Sequence, residues 1–116
     1  MLALLLGAHL LLAQTVPAFP DPAPPPTVPA LIRDAALRHG VDAQDLLRVL
    51  ACESGLNPHA VGDHGTSLGL AQLNTRGLLP TFYQLGYTDP FDPAQAADFT
   101  AWAFRQGLRR HWTCAR

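Results

Sequence analysis

Apolar residues recur at intervals of three and four in two neighbouring segments of the chain, which is the spacing of one face of an α-helix. The first segment, residues 30–39, follows Thr27 and Pro29, which favour a helix start, and precedes Gly40, which favours a helix end. The second segment begins after Asp42, a typical N-cap residue, and continues to the next glycine. The pattern therefore predicts two consecutive helices, each with one apolar face.

The middle of the chain interrupts this helical pattern. Residues 61–74 contain three glycines together with aspartate and serine, which predicts turns and a short hairpin over residues 65–73. A short helix is predicted over residues 81–85, and a last one over residues 94–107, where Asp92 and a following proline form a helix start. The chain is therefore expected to fold as a mainly α-helical domain with one short, glycine-rich β-hairpin.

The amino-terminal residues 1–18 contain an apolar run, which is shorter than the roughly 20 residues of a membrane-spanning helix. This length is typical of a secretory signal peptide, although no lysine or arginine precedes the run. The alternatives are an uncleaved N-terminal anchor, which would tether the protein to a membrane, and a disordered apolar tail. We expect an exported protein of the periplasm, the cell envelope or the extracellular space.

Residues 19–29 form a proline-rich linker in the predicted domain organisation. Seven of the thirteen residues from 17 to 29 are proline, which excludes helix and favours an extended polyproline II spacer. The folded domain is then expected over residues 30–116. A domain of this size is marginally stable by surface-to-volume scaling and gains from a covalent crosslink.

Cys52 and Cys114 are the only cysteines in the chain. In an exported chain such an isolated pair most often forms a disulfide, and closing a loop of about 60 residues stabilises a fold by about 4 kcal/mol. Two cysteines without a histidine pair make a poor zinc site, so we expect no metal and no cofactor. The net charge is −1 and basic residues form no long run, so nothing indicates a nucleic-acid partner. We expect a monomer.

Glu53 is the only glutamate in the chain and the first candidate for catalysis. It follows Leu46, Val49 and Leu50 by seven, four and three residues, which places it on the apolar face of the second helix. Partial desolvation there favours the protonated carboxyl form, which a general acid for glycoside cleavage requires. The alternative is a helix-end glutamate that only bonds to a neighbouring loop.

Two short blocks of sequence carry a family resemblance. Residues 53–60 read ESGLNPHA, and residues 67–73 read SLGLAQL. With the Asp92-Pro93 helix start, these blocks resemble the lysozyme-like family that contains soluble lytic transglycosylases and goose-type lysozymes. The resemblance covers most of residues 31–114. The chain has a cysteine directly before the glutamate and a second cysteine near the carboxyl terminus. In this feature it resembles secreted members of the family.

The resemblance implies a small lysozyme-like domain that cleaves peptidoglycan. Glu53 would protonate the β-1,4 glycosidic oxygen between N-acetylmuramic acid and N-acetylglucosamine, and Ser54 would hydrogen-bond Glu53 or the sugar. Gln72 would offer a donor and an acceptor to a sugar hydroxyl or acetamido group. The remaining substrate-binding candidates lie in or beside the predicted hairpin: Asp63, Ser67, Gly69 and Asn74.

One family element is missing from the chain. Many transglycosylases carry a late alanine-tyrosine-asparagine block whose tyrosine supports the reacting sugar, whereas residues 101–105 read AWAFR. Tyr83, Tyr87 or Trp112 could take its place, and the sequence does not choose among them. The missing block leaves two alternatives to an enzyme: a non-catalytic peptidoglycan-binding module and a small disulfide-linked interaction domain.

The number of carboxylates bears on the type of reaction. A hydrolytic glycosidase usually needs a second carboxylate across the bond, and Asp63 is the nearest candidate. Its flanking glycines favour a turn role, while Asp89, Asp92 and Asp98 are interpreted as caps and solvated positions. Without a second carboxylate, the resemblance implies a lytic transglycosylase that leaves 1,6-anhydro ends. The alternative is a hydrolytic goose-type lysozyme in which Asp63 positions a water molecule.

Overall fold

The computed structural model describes residues 18–116, so the predicted signal peptide or anchor lies outside the described residues apart from Ala18. Residues 18–27 are exposed and contain neither helix nor strand. Four α-helices follow within the described residues: α1 (Val28–His39), α2 (Ala43–Ser54), α3 (Leu79–Gln84) and α4 (Pro93–Arg105). Three 3₁₀ turns complete the fold: Asp63–Gly65, Arg109–His111 and Thr113–Ala115.

The ends of the long helices are set by the capping residues that the sequence predicts. The Asp42 side chain accepts from the Asp45 amide at the start of α2, and the Asp92 side chain caps α4. Gly40 ends α1 in the left-handed region with φ of 67°. Two other boundaries differ from the prediction: α3 begins at Leu79, two residues earlier than predicted, because a proline fits its first turn. Helix α4 ends at Arg105, before the predicted residue 107.

A three-stranded antiparallel sheet stands where a single hairpin is predicted. Its strands are β1 (Val61–Gly62), β2 (Ser67–Leu68) and β3 (Leu73–Asn74), in the order β1-β2-β3. Asp63 and His64, with φ of 50° and 56°, reverse the chain between β1 and β2. The additional strand is absent from the sequence prediction because two residues are too few to show an alternating pattern.

The core lies between the helices and the back of the sheet. Helix α1 packs on α4 and on α2, and all three turn their apolar faces inward. The largest fully buried side chains are Ile32, Leu46, Val49, Leu50, Leu70, Leu73, Phe82, Phe99 and Thr100. Within residues 18–116, no helix combines the length and apolarity needed to cross a bilayer.

Asp98 joins α4 to α1 and is not the solvated position that the sequence suggests. Its carboxylate accepts hydrogen bonds from the Arg38 guanidinium at 2.8 Å and from the Tyr87 hydroxyl, and it lies 2.9 Å from Nε2 of His39. Burial pushes the pKa of Asp98 upward, but the bonds from Tyr87, Arg38 and His39 outweigh it and hold the pKa below its usual range. Burial and the neighbouring Asp98 raise the pKa of the Tyr87 phenol. This cluster links α1 to α4.

Candidate active site

An open, polar cleft of about 400 Å³ lies where the end of α2, the sheet and the carboxyl-terminal turns meet. Its lining combines one glutamate, one aspartate, two amides and three residues from the end of the chain. The lining residues are Glu53, Gly62, Asp63, Ser67, Gln72, Asn74, His111, Trp112 and Thr113. Five of the predicted site residues therefore meet in one place, although they come from separate elements: Glu53, Asp63, Ser67, Gln72 and Asn74.

Glu53 occupies the last turn of α2 and is partly buried, as its position on the apolar face predicts. Its Oε1 atom accepts a hydrogen bond from the backbone amide of Cys114 at 3.0 Å. Among the described residues, Oε2 has no protein hydrogen-bond partner, and the Glu53 residue lines the cleft. The predicted disulfide between Cys52 and Cys114 is present, with a Cα–Cα distance of 6.0 Å, and it lies directly beside this hydrogen bond.

A hydrogen-bonded chain of side chains holds Asp63 in the cleft wall. The Asn74 amide donates to the Ser67 hydroxyl at 2.9 Å, and that hydroxyl donates to Oδ2 of Asp63 at 2.6 Å. Ser67 is only 2% exposed, whereas Asp63 is exposed. The backbone carbonyl of Asp63 also accepts from the amide and hydroxyl of Thr66, which is the turn role that its flanking glycines predict. Asp63 therefore combines a turn position with a carboxylate that faces the cleft.

Gln72 supports the cleft with one half of its amide group. Its Nε2 atom donates to the carbonyls of Gly69 and Ala60, at 2.9 and 3.2 Å, and so ties β3 to the segment before β1. Its Oε1 atom lies against Gly62, where an added Cβ would come within 2.4 Å of it. From the sequence, Gln72 is expected to offer both a donor and an acceptor to a sugar. Its donor group is used within the fold, so only the acceptor oxygen is left for a ligand.

Two predicted site residues lie outside the cleft lining. Ser54 donates its hydroxyl hydrogen to the Leu50 carbonyl within α2, at 3.1 Å, and not to Glu53. Gly69 is buried against the loop before α4, where an added Cβ would lie 2.0 Å from the Pro90 carbonyl oxygen. Gly69 therefore allows two parts of the backbone to approach each other.

The carboxyl-terminal turns supply site residues that the sequence does not point to. His111 and Thr113 line the cleft and are exposed, and short 3₁₀ turns such as theirs have no periodic pattern to predict them. Of the three aromatic residues considered for the missing tyrosine, only Trp112 borders the cleft. It is 3% exposed, and its indole nitrogen donates to the Ala71 carbonyl at 2.8 Å. Tyr87 instead packs on Phe82 in the core.

Comparison with known proteins identifies the family of the chain. The family model described as the transglycosylase SLT domain matches residues 30–112, and the chain belongs to this family. Membership places the domain in the lysozyme-like superfamily and assigns it, at the level of the family, transglycosylase-type action on peptidoglycan. No curated protein and no solved structure matches the chain.

Proposed function

We propose that this protein is a peptidoglycan lytic transglycosylase that cleaves the β-1,4 bond between N-acetylmuramic acid and N-acetylglucosamine. The observation that carries the proposal is the place of Glu53, which is the sole glutamate and lines a polar cleft in a transglycosylase-family domain. The cleft is open, as a site for a long glycan strand must be. Its polar lining matches the hydroxyl and acetamido groups of a saccharide.

Glu53 acts twice in the proposed reaction. As a general acid it gives its proton to the glycosidic oxygen while the bond from that oxygen to C1 of the muramic residue breaks. The acetamido group of the substrate stabilises the positive charge that develops at C1. Glu53, now ionised, takes the proton of the C6 hydroxyl while C6 oxygen bonds to C1, which closes a 1,6-anhydro ring. The glutamate returns to its starting form, and water is not consumed.

Intramolecular attack is favoured because it needs no second protein carboxylate and because the C6 hydroxyl is already held next to C1. The products identify the reaction. Mass spectra of muropeptides released from purified cell walls should show 1,6-anhydro ends, which are lighter than reducing ends by the mass of one water molecule. Release of reducing ends alone would contradict the transglycosylase assignment.

The second candidate is hydrolysis of the same bond, as in a goose-type lysozyme. One observation favours it: Asp63 lines the same cleft as Glu53, and its carboxylate is held there by Ser67. A carboxylate in that position can orient a water molecule toward C1. The transglycosylase assignment is preferred because the backbone of Asp63 also serves the turn between β1 and β2, a role that accounts for the residue without catalysis.

The proposed setting is outside the cytoplasm, where peptidoglycan lies. Two features support export: the apolar segment at the amino terminus and the disulfide between Cys52 and Cys114. In this proposal residues 1–18 are a signal peptide or an anchor, residues 19–29 a spacer whose last two residues already belong to α1, and residues 30–116 the catalytic domain. Pulse labelling in the host, with immunodetection of the periplasmic fraction, tests the proposal. Accumulation of the intact chain in the cytoplasm would contradict it.

A further inference from the structure

The carboxyl-terminal turns, residues 109–115, are attached to α2 at successive positions along that helix. There are four attachments. In order along α2 they are the Asp45–Arg109 ion pair, the Arg48 hydrogen bond to the Cys114 carbonyl, the Cys52–Cys114 disulfide and the hydrogen bond from the Cys114 backbone amide to Glu53. The last two are adjacent, because Cys52 directly precedes Glu53 in the chain. One covalent link therefore fixes the Cys114 amide relative to the Glu53 carboxyl group.

This amide is a different kind of partner from a side-chain hydroxyl. The hydrogen of a backbone amide cannot turn away by rotation about a side-chain bond, and the Cys114 peptide is crosslinked through its own side chain. A donor held in this way fixes the carboxyl group that it touches. With Oε1 of Glu53 occupied at 3.0 Å, Oε2 is the oxygen left for the proton and the substrate.

We propose that Cys114 is a positioning residue for the cleavage reaction, with its amide directing Oε2 of Glu53 toward the glycosidic oxygen and its disulfide to Cys52 keeping the amide in place. The inference rests on the function proposed above for Glu53. Its consequence is that full activity requires the oxidised chain. The disulfide is also accessible to small thiols, because Cys52 is exposed.

Two attachments of the same turns do not involve Cys114 and remain after reduction. Arg109 pairs with Asp45, and the Trp112 indole donates to the Ala71 carbonyl from a buried position. Reduction by dithiothreitol converts the disulfide into two thiols, while the reagent is oxidised to its own cyclic disulfide. The turns then stay docked and the cleft keeps its wall, whereas the Glu53 carboxyl group loses its fixed donor. The effect should fall on kcat more than on KM.

The main experiment compares kcat and KM on soluble, uncrosslinked glycan strands for the oxidised chain, the reduced chain and Cys52→Ala/Cys114→Ala. We expect kcat to fall about tenfold or more without the disulfide, because a carboxyl group that is no longer held in place is poorly aligned for proton transfer, while KM changes less than about threefold. Asp45→Asn is the matched control, because it removes the charge from another attachment of the same turns, the Asp45–Arg109 ion pair, and leaves Cys114 in place. It should keep kcat. Equal kcat for oxidised and reduced chains, or an equal loss in Asp45→Asn, would overturn the proposal.

A second measurement does not depend on activity or on the fold of the reduced chain. Labelling with [¹⁵N]cysteine gives two amide signals, Cys52 inside α2 and Cys114 beside Glu53. In the oxidised protein, Glu53→Ala should speed solvent exchange of the Cys114 amide by about tenfold or more and leave the Cys52 amide unchanged. Equal exchange of Cys114 in both proteins would rule out the contact. If the oxidised wild type binds glycan strands without cleaving them, the proposed function is wrong. The solvent exchange of the Cys114 amide then still tests the contact with Glu53.

Discussion

Ser67 donates its hydroxyl hydrogen to Oδ2 of Asp63 at 2.6 Å, and this bond sets the direction of the only aspartate in the cleft lining. The hydroxyl in turn accepts a hydrogen bond from the Asn74 amide at 2.9 Å. Two linked side chains, one from β2 and one from β3, therefore hold the carboxylate in place. Asp63 also has φ of 50°, a conformation that few residues adopt. Whether this carboxylate acts on water or only shapes the wall separates the two candidate reactions.

Replacing Asp63 by asparagine decides between them. Asparagine keeps an oxygen for the Ser67 bond and keeps the left-handed backbone that Asn tolerates, so the cleft wall should persist. We expect Asp63→Asn to retain cleavage within about tenfold, below the contribution typical of a general base, and to release the same 1,6-anhydro products. Reducing-end products from the wild type, lost together with activity in Asp63→Asn, would establish hydrolysis.

Glu53→Gln should abolish cleavage and leave the fold intact. The substitution keeps the shape of the side chain but removes the proton that moves in the reaction, a contribution of about 100- to 10,000-fold. Turbidity loss of purified cell walls measures it. Asp34→Asn is the control, since Asp34 is an exposed carboxylate of α1 outside the cleft lining. Activity above about a tenth of the wild type in Glu53→Gln would move the catalytic role to another residue.

The Glu53→Gln variant also separates an enzyme from a binding module. It should still sediment with insoluble peptidoglycan, because the other residues that line the cleft are unchanged. A wild type that sediments without releasing muropeptides would identify a non-catalytic binding module. A wild type that neither sediments nor cleaves would favour the small interaction domain.

Loss of the disulfide should destabilise the domain without changing its helical content. The bond joins residues 62 positions apart, and closing a loop of this length contributes about 4 kcal/mol in the chain-entropy model. Urea unfolding of the oxidised wild type and of Cys52→Ala/Cys114→Ala measures the difference. Thiol titration of the unreduced, exported protein should find no free cysteine. Two titratable thiols would contradict both the bridge and the case for export.

Gly69→Ala should be far more damaging than Gly65→Ala. Both glycines have positive φ, of 78° and 93°, so each substitution carries the backbone cost of about 1–2 kcal/mol. Only at Gly69 does the added methyl group meet the Pro90 carbonyl, at 2.0 Å, whereas nothing lies within 4 Å at Gly65. The difference between the two unfolding free energies should therefore reach about 1–3 kcal/mol. Equal destabilisation would show that the loop before α4 moves away freely.

Acid should remove the contribution of the Asp45–Arg109 ion pair to the free energy of unfolding. The hydrogen bond from Arg109 lowers the pKa of Asp45, burial opposes the change in part, and the bond from Arg48 lowers the pKa further. Because the folded-state pKa is depressed, the stabilisation is complete above the unfolded aspartate pKa of about 3.9 and is lost as the pH falls through the folded value. The free energy of unfolding of the wild type should exceed that of Asp45→Asn by about 1 kcal/mol or less at neutral pH, and the two values should be equal in strong acid. A difference that persists in acid would contradict this assignment.

The helices and their ends follow from local chemistry, which is why the sequence predicts them. Asp42 and Asp92 accept from the amides of the first turns, and Gly40 and Gly55 end their helices in the left-handed region. Each of these contacts lies within four residues along the chain. Glu53 is found for a related reason, because its position on the apolar face of α2 depends only on neighbours in the same helix.

The parts that the sequence does not predict depend on contacts between distant segments. His111 and Thr113 reach the cleft because their turns are attached to α2, some 60 residues away along the chain. Gly69 is a substrate-binding candidate in the sequence, and only the folded chain shows Pro90 against it. Asp98 reads as a solvated helix residue until α1 brings Arg38 to it. Such partners carry no periodic pattern, so spacing alone does not predict them.

Among residues 18–116, four residues other than glycine have positive φ, and three of them, Asp63, His64 and Gln72, belong to the segment of residues 61–74, which supplies part of the cleft lining. Each such conformation costs about 1–2 kcal/mol, which the rest of the domain must offset when the chain folds. The strain of this segment is therefore offset by the fold of the domain itself. For the proposed function, this means that the energetic cost of shaping the segment is met when the domain folds, and binding of a glycan strand need not supply it.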